Sequence, residues 1–140
     1  MGVPPVPVMS VRDLMAGSVV TVDPRESLAD AAAHMRSGRV GSLIAIAGLE
    51  ITGIITEHDL MRAIGDGRDP ALTHVSQYMT QSPRTVEADR EAGQAAASMV
   101  RHGVRHLPVT DRGRLVGMLS ARDLLALQPW PKTLPVLEPW

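Results

Sequence analysis

Residues 53–64 read GIITEHDLMRAI, and residues 117–127 read GMLSARDLLAL. Each phrase is a glycine, an apolar run, Thr or Ser, two variable residues, Asp and a second apolar run. Gly53 and Gly117 are 64 residues apart, as are Asp59 and Asp123. The same shift brings Val11 onto Val75, Met15 onto Met79, Thr21-Val22 onto Thr85-Val86 and Ala31-Ala32-Ala33 onto Ala95-Ala96-Ala97. It also brings Met35 onto Met99, Val40 onto Val104 and Leu43 onto Leu107, with no gap between 11 and 60. A repeat of this length and register constrains the chain to two copies of one supersecondary unit.

Each copy reads as a short amphipathic turn (VRDLM; VSQYM), a short strand (19–22; the 83–86 region), a helix, a hairpin and a final helix. Leu28, Ala31, Ala32 and Met35 form the apolar stripe of the first helix, and Ala92, Ala95, Ala96 and Met99 repeat it. Gly38 and Gly103 sit where a helix calls for a left-handed residue to end it. SLIAI and HLPV then pair, through the short turns AGLE and TDRG, with ITGII and RLVGML. The strand-helix-strand portion implies a right-handed parallel crossover. The order is β-α-β-β-α in each copy, an α+β fold.

About 50 residues with three short strands cannot bury much alone. The expectation is therefore two three-stranded sheets packed together about a pseudo-two-fold axis, with helices outside. The repeats span 10–65 and 75–127, joined by a turn-rich loop at 66–74. Pro-rich segments lie at 1–9 and 128–140. The second holds Trp130 and Trp140, which favour docking over exposure.

The chain has 140 residues, no Cys, no Phe and a formal net charge of −1. Disulfides and thiolate metal sites are excluded. The His102-x3-His106 spacing breaks at Gly103, so a metal site is not expected. The phosphate-loop pattern GxxxxGK[ST], HExxH and a G-x-S-x-G elbow are all absent, which points away from catalysis. No basic-then-apolar leader and no long apolar run occur, so a soluble cytoplasmic protein without membrane contact is expected.

Thr56-x-x-Asp59 and Ser120-x-x-Asp123 fit a helix capping box, but so do Ser10-x-x-Asp13 and Ser27-x-x-Asp30. Only the first two follow a glycine and a strand. A strand running into a helix presents backbone N–H groups suited to anions, and glycine lets another group approach the backbone. An ionised Asp there offers acceptors suited to the adjacent hydroxyls of a ribose. Cap and site therefore both stand as readings of these boxes.

The doubled β-α-β-β-α unit closing in G-h-h-h-[ST]-x-x-D-L resembles a tandem pair of cystathionine β-synthase (CBS) domains, a Bateman module. The likeness covers about 10–127 and rests on MAGSVVTVDPRESLADAAAHM, GIITEHDL and VRHLPVTDRGRLVGMLSARDLL. With no catalytic motif beside the pair, the chain resembles the stand-alone members. The resemblance implies a non-enzymatic regulatory module that needs no cofactor. It would bind AMP, ADP, ATP or a compound such as S-adenosylmethionine in clefts between the repeats. By that resemblance, Asp59 and Asp123 hold ribose hydroxyls, and Thr56 and Ser120 bond ribose or phosphate. Thr21, Val22, Thr85 and Val86 line the adenine pocket.

The resemblance also implies that the places held by Arg105, His106 and Arg122 in copy two face phosphates. Copy one has Gly41, Ser42 and His58 there, with Glu57 alongside. Copy two is thus the better complement for a phosphorylated ligand. The resemblance also implies a homodimer formed through helices, which Leu60, Met61, Ile64, Leu124 and Leu125 suit. A regulated protein partner would receive the signal. A ligand-free dimerisation module is the competing reading. Nucleic-acid binding through the Arg-rich part of copy two lacks the Lys clustering and interleaved aromatics it requires.

Overall fold

The computed structural model describes residues 9–127. In chain order the elements are α1 (Val11–Leu14), β1 (Thr21–Val22), α2 (Leu28–Gly38), β2 (Ser42–Ala47), β3 (Glu50–Thr56) and α3 (Glu57–Gly65). A 3-10 turn at Val75–Gln77 is followed by β4 (Thr80–Gln81), β5 (Val86–Glu87), α4 (Ala92–His102), β6 (His106–Asp111), β7 (Arg114–Ser120) and a 3-10 helix at Ala121–Ala126. The α+β fold and the β-α-β-β order therefore appear in both copies. The Pro-rich ends and both Trp residues lie outside the described residues.

The described residues divide into two compact units, one formed by 18–84, the other by 9–17 together with 85–127. These units are not the sequence repeats, because each copy's leading segment belongs with the other copy. In the first unit Val75 N donates to Glu26 O, Ser76 N to Pro24 O and Leu28 N to Thr73 O (2.8–2.9 Å). In the second, Val11 N donates to Arg90 O, Arg12 N to Ala88 O and Ala92 N to Met9 O (2.8–2.9 Å). The two sets match bond for bond at the 64-residue shift.

The first unit holds a four-stranded sheet in the order β1-β2-β3-β4, not the three strands expected. β4 is the addition: Gly53 pairs with Gln81 and Ile54 with Thr80. The second unit's sheet runs β5-β6-β7, and Ala16 bridges Met118 at the place equivalent to β4. In both sheets the first pairing is parallel and the hairpin antiparallel. Even the hairpin irregularity repeats, between Ala45 and Ile46 and between Val109 and Thr110.

The glycines that open the repeated phrase now have a structural reason. A Cβ on Gly53 would collide with the Met79 side chain and lie 2.9 Å from Thr80 O. One on Gly117 would press on Met15 and lie 2.8 Å from Ala16 O. The close approach they permit is therefore taken by the protein's own exchanged segment.

The cores follow the sequence stripes. Leu28, Ala31, Met35, Leu43 and Ile55 are buried in the first unit, and Ala95, Met99, Leu107, Val109 and Leu119 in the second. Two details differ from expectation. The left-handed residue ending α2 is Arg39 (φ 53°), while Gly38 is the last helical residue, placed where a Cβ would lie 2.8 Å from Val20 Cγ2. The glycine there answers a packing need, and Gly103 (φ 64°) fills the left-handed role in α4. The closing helix of copy two is 3-10, not α. Pro129 and Pro131 follow closely in the sequence and oppose an α-helical continuation of the kind that lets α3 run to Gly65.

Candidate ligand site

All four Ser/Thr-x-x-Asp sequences form capping boxes. At Ser10 only the acid's arm is a direct bond, with Ser10 N donating to Asp13 Oδ2 at 3.0 Å. At Ser27, Thr56 and Ser120 the hydroxyl also accepts from the Asp backbone N–H. Capping of this kind contributes about 1 kcal/mol per helix end. It consumes one carboxylate oxygen, so what distinguishes a site is the state of the other.

In the first unit, the amino ends of β1 and β2 and the carboxyl end of β3 share one end of the sheet. Thr21 pairs with Ile44, and Ser42 with Thr56. Thr21 is exposed, but Val22 is only 3 % exposed and lies in the hydrophobic cluster. Its side chain packs into the core, so any contact it makes with a ligand would be through its backbone. Thr56 N donates to Asp59 Oδ2 at 2.9 Å. Arg62 Nη2 donates to Asp59 Oδ1 at 3.4 Å and to Tyr78 O at 3.1 Å. The same guanidinium lies 5.3 Å from the centroid of the Tyr78 ring, and Tyr78 OH donates to Asp66 Oδ2 at 2.7 Å. That bond is the largest cause raising the Tyr78 hydroxyl pKa above its usual value. Asp59 is 9 % exposed and committed on both oxygens. His58 is exposed, and the Glu57 carboxylate covers Gly41, where a Cβ would collide with it.

The second unit has the same frame with different contacts. Ala121 N donates to Arg105 O at 2.8 Å, as Glu57 N does to Gly41 O at 3.0 Å, so Arg105 occupies the Gly41 position and Ala121 the Glu57 position. His106 pairs with Ser120 across β6 and β7. Arg105 and His106 are half-buried beside the junction, and Arg122 is exposed. Ser120 N donates to Asp123 Oδ2 at 2.7 Å. Asp123 is half-buried, and Oδ1 has no partner among the described residues. The counterpart of Arg62 is Ala126.

Thr85 is exposed before β5, and Val86 is half-buried against the second cluster. Beside them lies an open surface hollow of about 420 Å³, lined also by Arg90, Gln94, Ser98 and Arg101 and by no junction residue. In the first unit a cavity of about 320 Å³ is lined by Ala33, Arg36 and Ser37, none of them a junction residue.

Sequence reading did not single out Arg62, Arg90 or Arg101 as site residues. Asp59-x-x-Arg62 is a helical i,i+3 pair and could have been noticed. Arg90 and Arg101 needed the hollow to bring them to Thr85. Among the described residues no three of His, Asp and Glu are grouped to hold a metal ion, and no helix is long and apolar enough to cross a membrane.

The CBS domain model matches this chain twice, over 11–66 and 75–129. The chain belongs to the CBS domain family, as a tandem pair. An uncharacterized protein of Methanopyrus kandleri is 34% identical over 87% of this chain, which spans 64% of that protein's length. The CBS domain-containing protein YhcV of Bacillus subtilis is 31% identical, with 85% of each chain covered. Among solved structures, a putative signal-transduction protein with CBS domains from Burkholderia ambifaria has a TM-score of 0.82 at 29% identity, covering 92% of this chain and 100% of that one. A CBS domain protein from Pyrobaculum aerophilum, solved in complex with AMP, has a TM-score of 0.79 at 27% identity, covering 86% and 93%.

Proposed function

We propose that this protein is a non-enzymatic, cytoplasmic sensor of adenosyl compounds, and that a phosphorylated one such as AMP binds at the β7 to 3-10 junction. The observation that carries this reading is the Asp123 carboxylate. One oxygen caps the helix and the other has no partner among the described residues. Arg105, His106 and Arg122 stand within three residues of Ser120 or its paired strand position. A ribose hydroxyl on Oδ1 would gain a charge-assisted bond, and the cations would meet phosphate. Thr85, with the backbone around Val86, would contact the base. The AMP complex of the Pyrobaculum aerophilum relative supports the ligand class.

Binding produces a signal only if the ligand prefers one of two states, whose difference a protein partner reads. A homodimer through the α3 face fits the exposure of Met61 and Ile64, each 63%. Those residues also favour the second reading, a dimerisation module in which the boxes only cap helices. A thermal-shift and calorimetric panel of AMP, ADP, ATP and S-adenosylmethionine separates the two. The sensor reading expects at least one compound to raise Tm and Asp123→Ala to remove the response. A flat panel, with a dimer in sedimentation, leaves the dimerisation module.

A further inference from the structure

The two junctions share the strand-to-helix frame, and among the side chains in which they differ, three act on the same few ångströms. Asp59 Oδ1, the oxygen a ribose would need, accepts from Arg62. The guanidinium is held there by Tyr78 O at 3.1 Å and by the Tyr78 ring, which Asp66 anchors in turn. The Glu57 carboxylate lies over Gly41, at the position from which Arg105 projects in the other copy. A phosphate approaching there would meet negative charge where the second copy offers positive charge. The cation that pairs with Asp59 thus takes the ribose oxygen, and the acid repels the phosphate.

We infer that the junction at 56–62 is closed to adenosyl phosphates by Arg62 and Glu57, so that one chain takes one such ligand, at the 120–126 junction. This rests on the proposed ligand class but goes beyond it, since it assigns stoichiometry and names the residues that set it. Those residues are binary in the repeat: Gly41, Glu57 and Arg62 against Arg105, Ala121 and Ala126. The three heavy atoms nearest an added Cβ at Gly41 all belong to Glu57, so removing that side chain makes room for a larger residue at 41.

The test is a reciprocal transplant read by native mass spectrometry and titration calorimetry with AMP. Wild type is expected to hold one AMP per chain. The triple variant Gly41→Arg, Glu57→Ala, Arg62→Ala is expected to hold two. The opposite graft, Ala126→Arg, places a cation three residues after Asp123 at an exposed position and is expected to weaken wild-type binding at least tenfold. It keeps the idea falsifiable if the triple variant fails to fold. Two AMP on wild type overturns the inference and leaves the sensor reading standing, as does undiminished binding by Ala126→Arg. One AMP on a folded triple variant also overturns it. No AMP on wild type or on either variant sinks the sensor reading for this ligand, and the inference with it.

Discussion

Asp59 and Asp123 begin from the same bond, a carboxylate oxygen accepting from the N–H of the Thr or Ser three residues earlier, at 2.9 and 2.7 Å. They end in different chemistry. Around Asp59 the second oxygen is paired and Glu57 covers the neighbouring glycine. Around Asp123 the second oxygen has no described partner, and arginine stands in place of the glycine. The repeat conserves the atoms that build the strand-to-helix corner and varies those that face outward from it. A duplicated scaffold can thus keep its fold in both copies while the side chains at the two corners differ.

The scaffold side of this comparison carries the largest expected effects. Leu43 and Leu107 are equivalent and buried, and truncating either to Ala should cost about 2–5 kcal/mol. Denaturant midpoints that fall similarly for both would support equal structural weight, whereas a large gap would show that one copy dominates stability.

The ligand side comes next, and it should split the pair. Asp123→Ala is expected to weaken AMP binding about 10- to 100-fold, the worth of one charge-assisted bond. Asp59→Ala should leave affinity unchanged and instead cost about 1–2 kcal/mol of stability through the lost cap. Equal binding losses in calorimetry would erase the functional distinction.

The exchanged segments offer a third comparison, between Gly53 and Gly117. Alanine at either presses on a carbonyl oxygen and a Met side chain, and a cost of roughly 1–3 kcal/mol is expected. Faster hydrogen exchange should be confined to 79–81 for Gly53→Ala and to 15–17 for Gly117→Ala. Exchange unchanged at those residues would mean that the glycines serve something other than segment docking.

The smallest effect contrasts Arg25 with its counterpart Asp89. The Arg25 side chain, bonded to Asp23 at 2.9 and 3.0 Å, holds that carboxyl down at about 2. Because the folded value lies below the ordinary aspartate value, the pair's contribution is present above that ordinary value and is lost as pH falls toward 2. The Asp23 side chain is 39% exposed and that of Arg25 86%, so solvent screens the pair and the effect on stability is small. An NMR titration should find the Asp23 midpoint near 2 and should see it rise in Arg25→Ala. A midpoint that does not move in the variant rules out Arg25 as the cause.

Much of this molecule was readable in one dimension because its determinants are local. The spacing of Leu28, Ala31 and Met35 marks a helix and its buried stripe, and the box residues sit three apart on one turn. The hairpins follow from short turns between apolar runs. The stretch before each repeat's first strand was equally legible as a turn. Its docking partner was not, because pairing at a sheet edge depends on shape and backbone bonds, which leave no period in the sequence.

The sequence by itself determined the repeat, the order of elements, the core stripes and the inequality of the two phrases, since each is written in residues close along the chain. Tertiary structure alone decided four things. Met9–Ala16 and Thr73–Gln81 exchange places between the copies. Gly53 and Gly117 yield to those segments. Val22 turns into the core. Tyr78, brought from the neighbouring repeat's leading segment, holds Arg62 against Asp59. Each depends on contacts between residues far apart in sequence, where packing and hydrogen-bond geometry select among partners that the local pattern leaves equivalent.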